Sequence, residues 1–134
     1  MEKFKLIISL IFMSYLMAEY SVGEQISSEH QSMRFNVCYG DDTPDSLSLS
    51  DFADGNTVIW INMAASWWDP CYNSIPVGDE IGEHWAEDDK VIIMTSLDDI
   101  GQPFSCFGWG YEGISGIPII IDDGSNQSII HNWF

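Results

Sequence analysis

Basic residues are scarce in this chain: four lysines and arginines face 21 acids across 134 residues, for a formal net charge of −17. Two of the four, Lys3 and Lys5, sit at the N-terminus, which leaves Arg34 and Lys90 for the rest. That shortage excludes nucleic acid and anionic membrane surfaces as partners, because both are polyanions the chain would repel. Solubility or a saline habitat explains the acidity more simply than capture of calcium or a cationic ligand. Asp122, Asp123, Gly124, Ser125 and Asn126 lack the spaced ligands and closing Glu of a calcium loop and read as a turn. Histidine is scarcer still, with three residues. His30, His84 and His131 are scattered, with no His-x-x-x-His or Cys-x-x-Cys pair, so each reads as a surface residue and no metal site is expected. Phosphate loop, nucleophile elbow and paired-carboxylate signature are all missing, and no cofactor is implied.

Long apolar runs are missing too, with one exception. Residues 6–18 (LIISLIFMSYLMA) follow the two lysines and are broken only by Ser and Tyr. As a helix they would rise only about 20 Å, short of the bilayer core. A positive start, a short apolar run and small residues after it form the layout of a secretory signal peptide. Ser21 and Gly23 suit cleavage after Gly23, with Ala18 the competing site, so residues 1–23 are expected to be a leader. The expected location is secreted, periplasmic or otherwise extracytoplasmic; a retained N-terminal anchor is the alternative. Residues 24–45 read as a flexible mature start with one candidate short strand at 34–39. Export lets disulfides persist. With three cysteines (Cys38, Cys71, Cys106), one bridge at most forms and one thiol is left over.

What is present is a globular composition, 46% hydrophobic and 13% aromatic, sized for one domain. Residues 47–52 alternate Leu and Ser before a turn at Asp54-Gly55-Asn56. Residues 57–63 (TVIWINM) form a continuous β-branched and aromatic run, the pattern of a strand covered on both faces. Pro70 suits the first turn of a helix. That helix is expected over 71–85, kinked at Pro76 and weakened by Gly78 and Gly82. Residues 90–96 (KVIIMTS) read as a second buried strand, 103–111 as a short helix and 117–121 (IPIII) as a third strand. Strands alternating with helices predict a mainly parallel α/β sheet. Asn126-Gln127-Ser128 is a glycosylation sequon, with meaning only on a eukaryotic secretory route.

Where TVIWINM meets the next helix, the chain reads Ala64-Ala65-Ser66-Trp67-Trp68-Asp69-Pro70-Cys71. This segment resembles the active-site stretch of the thioredoxin-like superfamily, in particular the exported TlpA-type, redoxin-like thiol-disulfide oxidoreductases. There Trp-Cys-x-Pro-Cys follows a central strand. Residues 47–52 with Gly55 resemble the lead-in of that exported branch, and the resemblance spans about residues 46–121. It implies a thioredoxin-like three-layer α/β/α sandwich with a central mixed sheet over residues 46–134. It also implies redox chemistry on protein thiols and disulfides, or binding of an extended peptide. Trp67, Pro70 and Cys71 fall on the family's tryptophan, proline and second cysteine, while Trp68 stands where the attacking cysteine would be.

That departure matters chemically. In a Cys-x-x-Cys pair the first sulfur, at a helix N-terminus, becomes the attacking thiolate, and the second resolves the mixed disulfide. Indole supplies no such nucleophile, so the ordinary dithiol cycle is impaired in the chain as written. Three readings of Trp68 stay open: lost catalysis in a fold that binds, a UGA codon that specifies selenocysteine, or another cysteine cooperating with Cys71. Cys106 is the candidate for that cooperation; packing as a buried hydrophobe, or pairing with Cys38, are its alternatives. Ser115-Gly116-Ile117-Pro118 resembles the family segment carrying a cis-proline, 47 residues after Cys71, with residues 125–134 then a hairpin strand. A peroxiredoxin-like alignment instead matches Trp109, Pro118 and Asp122-Asp123, with Trp133-Phe134 starting the next helix. Under both alignments the family's final helix is lacking. Two function classes follow: a thiol-disulfide oxidoreductase or peroxiredoxin-like enzyme, and a noncatalytic peptide- or protein-binding module.

Overall fold

The computed structural model describes residues 19–40, 43–113, 119–124 and 127–134. In chain order the elements are helix α1 (Ser28–Ser32), strands β1 (Phe35–Tyr39) and β2 (Ser46–Leu47), and a 3-10 turn (Leu49–Phe52). Strand β3 (Val58–Ala65), helices α2 (Asp69–Asn73) and α3 (Ile75–Trp85), and strand β4 (Val91–Asp98) follow. Helix α4 (Cys106–Tyr111), strand β5 (Ile119–Asp122) and helix α5 (Ile129–Trp133) complete them. The five strands form one mixed sheet in the order β2-β1-β5-β4-β3. β3, β4 and β5 run parallel to one another, whereas β1 pairs antiparallel with both β2 and β5. The molecule is thus α/β, as the alternation of elements predicts, but the sheet is mixed and not mainly parallel, two of its four pairings being antiparallel.

Side chains leaving the two faces of the strands build two apolar clusters. One holds Phe35, Leu47, Leu49, Met94 and Ile121 with Ile130 and Trp133 of α5. The other holds Ala64, Leu97 and Ile120 with Cys71 of α2 and Cys106 and Trp109 of α4. Alternation along β5 explains the division, since Ile119 and Ile121 join the first cluster and Ile120 the second. A register shift in β1 between Val37 and Tyr39 breaks that alternation. It lets Tyr39 join Cys38 on the second cluster although Val37, two residues earlier, serves the first. Gly110 makes this approach possible: a Cβ there would lie 2.4 Å from the Tyr39 ring.

Several sequence expectations change. The apolar run of β3 predicted a strand covered on both faces, yet β3 lies last in the sheet order. Val58, Trp60 and Met63 are 63%, 37% and 40% exposed. The run is apolar because it borders the core on one side, and strand order rather than composition sets how much is covered. The single kinked helix is two helices meeting at Ser74, which ends α2 and starts α3. Pro76 therefore sits in a first turn, where its missing N–H costs nothing. Residues 24–45, expected to be flexible apart from a candidate strand at 34–39, also contribute α1, while the expected strand forms as β1 and lies inside the sheet. Residues 129–133 are helix and not a hairpin strand.

Residues 1–18 lie outside the described residues, but Tyr20, within the expected leader, belongs to the first cluster. Its ring meets Trp133 edge-on with centroids 6.3 Å apart, and its N–H donates to the Trp133 carbonyl at 2.8 Å. Its hydroxyl oxygen accepts from the Ser27 N–H at 3.0 Å and lies 2.7 Å from His30 Nδ1. Cleavage after Gly23 would remove this packing, whereas cleavage after Ala18 would leave it.

Candidate functional site

β3 delivers the Trp-Trp-Asp-Pro-Cys segment to the C-terminal end of the sheet. Ser66, fully buried at the last turn, donates through Oγ to the carbonyls of Asp99 and Gln102, and its N–H donates to the Asp98 carbonyl at 3.1 Å. These bonds tie the end of β3 to the loop after β4. Trp67 is exposed, and its indole N–H donates to Asp99 Oδ2 at 2.5 Å. Trp68 occupies the N-cap of α2 with extended backbone and no side-chain cap bond. Its carbonyl starts the helix by accepting from the Cys71 N–H at 2.9 Å, and its ring is 52% exposed. Asp69 and Pro70 are exposed in the first turn. The residue presented at the start of this helix is therefore an exposed indole.

Cys71, one turn in, points to the core: it is buried and carries a free thiol. Tyr72 next to it stacks on Phe104 with centroids 4.4 Å apart and meets Trp109 edge-on at 5.8 Å. The Tyr72 phenol is pushed above its ordinary range by its hydrogen bond to Glu112, with burial and the Glu112 charge adding to it. Cys106 is engaged elsewhere, in a disulfide with Cys38 whose Cα atoms are 6.0 Å apart. Of the pairings the sequence left open, the structure contains Cys38–Cys106, tying β1 to α4. Cys71 and the disulfide share one apolar cluster. Pro118 lies outside the described residues. The cis bond among the described residues is Gln102–Pro103, in the loop before α4.

A second polar arrangement, not anticipated, gathers beyond the ends of β4 and β5. Asp123 is fully buried; its Oδ1 accepts from the Ile130 N–H at 2.6 Å and its Oδ2 from the His131 N–H at 3.1 Å. His131 Nδ1 lies 2.5 Å from the same Oδ2. Ser128 donates through Oγ to Asp98 Oδ2. Asp123 thus supplies the cap α5 lacks from its own N-cap, Ser128, whose side chain makes no cap bond. Burial raises the Asp123 pKa, but the bonds from His131 and the two backbone N–H groups outweigh it and hold the carboxyl below its ordinary range. His131 is held above its ordinary range, first by the Asp123 bond and then by the charges of Asp123, Asp98 and Asp99, against burial.

His131 is therefore no surface histidine. Nor is His30, which stacks on Trp133 with centroids 4.7 Å apart; His84 is exposed as expected. A search for a cap at the residue before α5 finds Ser128 and misses Asp123, which reaches the helix from six residues ahead of it. Asp-Asp-Gly ahead of an apolar segment carrying histidine was the available signal.

The class the fold defines is a mixed α/β domain with helices packed around a five-stranded sheet. Comparison of the chain with protein-family models, curated proteins and solved structures gave no match. The functional reading therefore rests on residues and geometry.

Proposed function

We propose that the chain is an exported, thioredoxin-like protein related to thiol-disulfide oxidoreductases, which binds a protein or extended peptide instead of cycling a dithiol. One observation carries this reading. The helix N-cap that would present the attacking thiol holds the exposed indole of Trp68, while Cys71 is buried and the remaining two cysteines are bonded to each other. A mixed disulfide formed at Cys71 would have no free cysteine beside it to resolve it. The order strand, Trp-Trp-Asp-Pro-Cys, helix, strand supports the thioredoxin-like resemblance. The strand ending at Asp122 suits its peroxiredoxin-like alignment, but the helix after it starts at Ile129 and ends at Trp133, where that alignment has a helix beginning.

Reduction of insulin disulfides by dithiothreitol tests the reading. The protein as written should give no acceleration, and turnover abolished by Cys71→Ser would overturn the noncatalytic reading. Trp68→Cys places a thiol at the α2 N-cap, one turn from Cys71, and should create measurable turnover if the oxidoreductase ancestry is right. A folded Trp68→Cys protein without activity would remove that ancestry.

A further inference from the structure

β3 is paired on one side only. Among the described residues its other edge has no strand against it. The direction of its backbone groups follows from the ladder. Val58 and Ser66 donate their N–H groups toward the β4 side, to the carbonyls of Lys90 and Asp98. Successive residues of a strand alternate, so Trp60, Asn62 and Ala64 also turn to β4, and Ile59, Ile61 and Met63 turn their N–H and C=O groups outward. The side chains of these same three residues line an apolar groove of about 350 Å³, closed by Ile26, Leu49 and Phe134. Free ladder groups and an apolar groove thus alternate in step along one strand. That combination suits strand addition, in which main-chain bonds give affinity and pockets for every second side chain give selectivity.

Charge chooses the occupant. Exposed Asp54 precedes β3 and exposed Asp69 follows it; at the start of the neighbouring β4 the exposed Asp88 and Asp89 outnumber Lys90, the one base there, whose charge acts on Asp54. A second copy pairing through β3 would bring together ends at which acids outnumber the single Lys90, between molecules of net charge −17. A basic segment meets the opposite situation at both ends.

We propose that the free edge of β3 and the groove beneath it form a docking site for an extended, cationic partner segment with apolar residues at every second position. This deepens the noncatalytic reading and rests on it.

The probe is a capped peptide of about seven alternating lysines and valines, titrated into the intact protein while amide exchange is followed. Expected are slowed exchange at the amides of Ile59, Ile61 and Met63 and binding that weakens with salt. N-methylating the peptide on its pairing edge should weaken binding about tenfold or more through lost ladder bonds. Ile61→Pro should do the same, because it removes an outward donor and leaves the β4 ladder intact. Binding that survives N-methylation, or an equal response to a glutamate–valine peptide, would overturn the proposal. So would a dimer in sedimentation analysis that protects the same amides. Absence of peptide binding with insulin turnover still absent removes the β3 site alone. Cys71-dependent turnover removes the noncatalytic reading whatever the peptide does.

Discussion

The two margins of the sheet are built on opposite plans. At the β1–β2 margin, Arg34 donates from Nε to Ser46 Oγ at 3.0 Å and from a terminal nitrogen to the Ser46 carbonyl at 2.5 Å, and pairs with Asp51 at 3.4 Å. The Ser48 N–H donates to Asp51 Oδ2 at 2.9 Å, and the Cys38–Cys106 disulfide fastens β1 to α4. At the β3 margin, among the described residues, no disulfide and no arginine clasp recurs; Asp54 Oδ1 accepts from the Asn56 and Thr57 N–H groups and Ser66 ties the strand's end to the loop after β4, but apolar side chains of the strand itself stand half exposed. Both margins use β-branched and aromatic residues. What separates them is cross-linking, so one margin is fastened while the other leaves apolar side chains and, among the described residues, an unpaired strand edge exposed.

Removing the fastening should have the largest effect. The disulfide closes a loop with a sequence separation of 68 residues. Chain-entropy reasoning gives such a bridge about 4 kcal/mol. Cys38→Ser with Cys106→Ser should therefore lower the melting temperature by about 15 °C, measured by calorimetry in oxidising buffer. A drop under about 3 °C would mean that the clasp at Arg34 and the apolar contacts hold β1 without the bridge.

Matched truncations at the two sides give a smaller and more discriminating contrast. Ile121 is fully buried in β5, between β1 and β4, whereas Ile61 is partly buried in β3 beside the groove. Ile121→Ala should cost about 3 kcal/mol and Ile61→Ala about 1 kcal/mol in urea unfolding. Equal costs would show that the β3 groove is packed in solution, and the contrast drawn here would fail.

Much of this layout was legible in the sequence. The runs at 57–63 and 90–96 declared their strands by β-branched composition, and Pro70 marked the start of α2. What stayed hidden depended on distant partners. Strand order could not be read, so β3 was expected to be covered. The shift in β1 that turns Tyr39 to the side of Cys38 leaves no local trace, and neither does the approach of Cys38 to Cys106. Tyr20 was absorbed into an apolar leader because its stacking partners Trp133 and His30 are remote in sequence. At the candidate site, Trp68 and Cys71 were legible because helix-terminus chemistry is local. The Asp123–His131 pair was not, because the carboxylate caps a helix that begins six residues later.

The smallest effect concerns that pair, which caps α5, the helix whose Ile130 and following Phe134 line the β3 groove. His131 is held above its ordinary value of 6.5, so its stabilisation is fully present below 6.5 and fades as pH rises through the folded-state value. Asp123 is held below its ordinary value of 3.8, so its stabilisation is present above 3.8 and is lost as pH falls through its own folded-state value. The pair therefore contributes most between 3.8 and 6.5. Background acidity complicates a single curve, because protonating the many other carboxylates relieves repulsion in a chain of charge −17 as pH falls. The difference between the wild type and His131→Gln cancels most of that background, since the substitution leaves the other carboxylates in place. Melting temperatures from pH 3 to 9 should differ most inside the window and converge above it; a difference independent of pH would show that His131 acts through packing and neutral hydrogen bonding, with its charge contributing nothing.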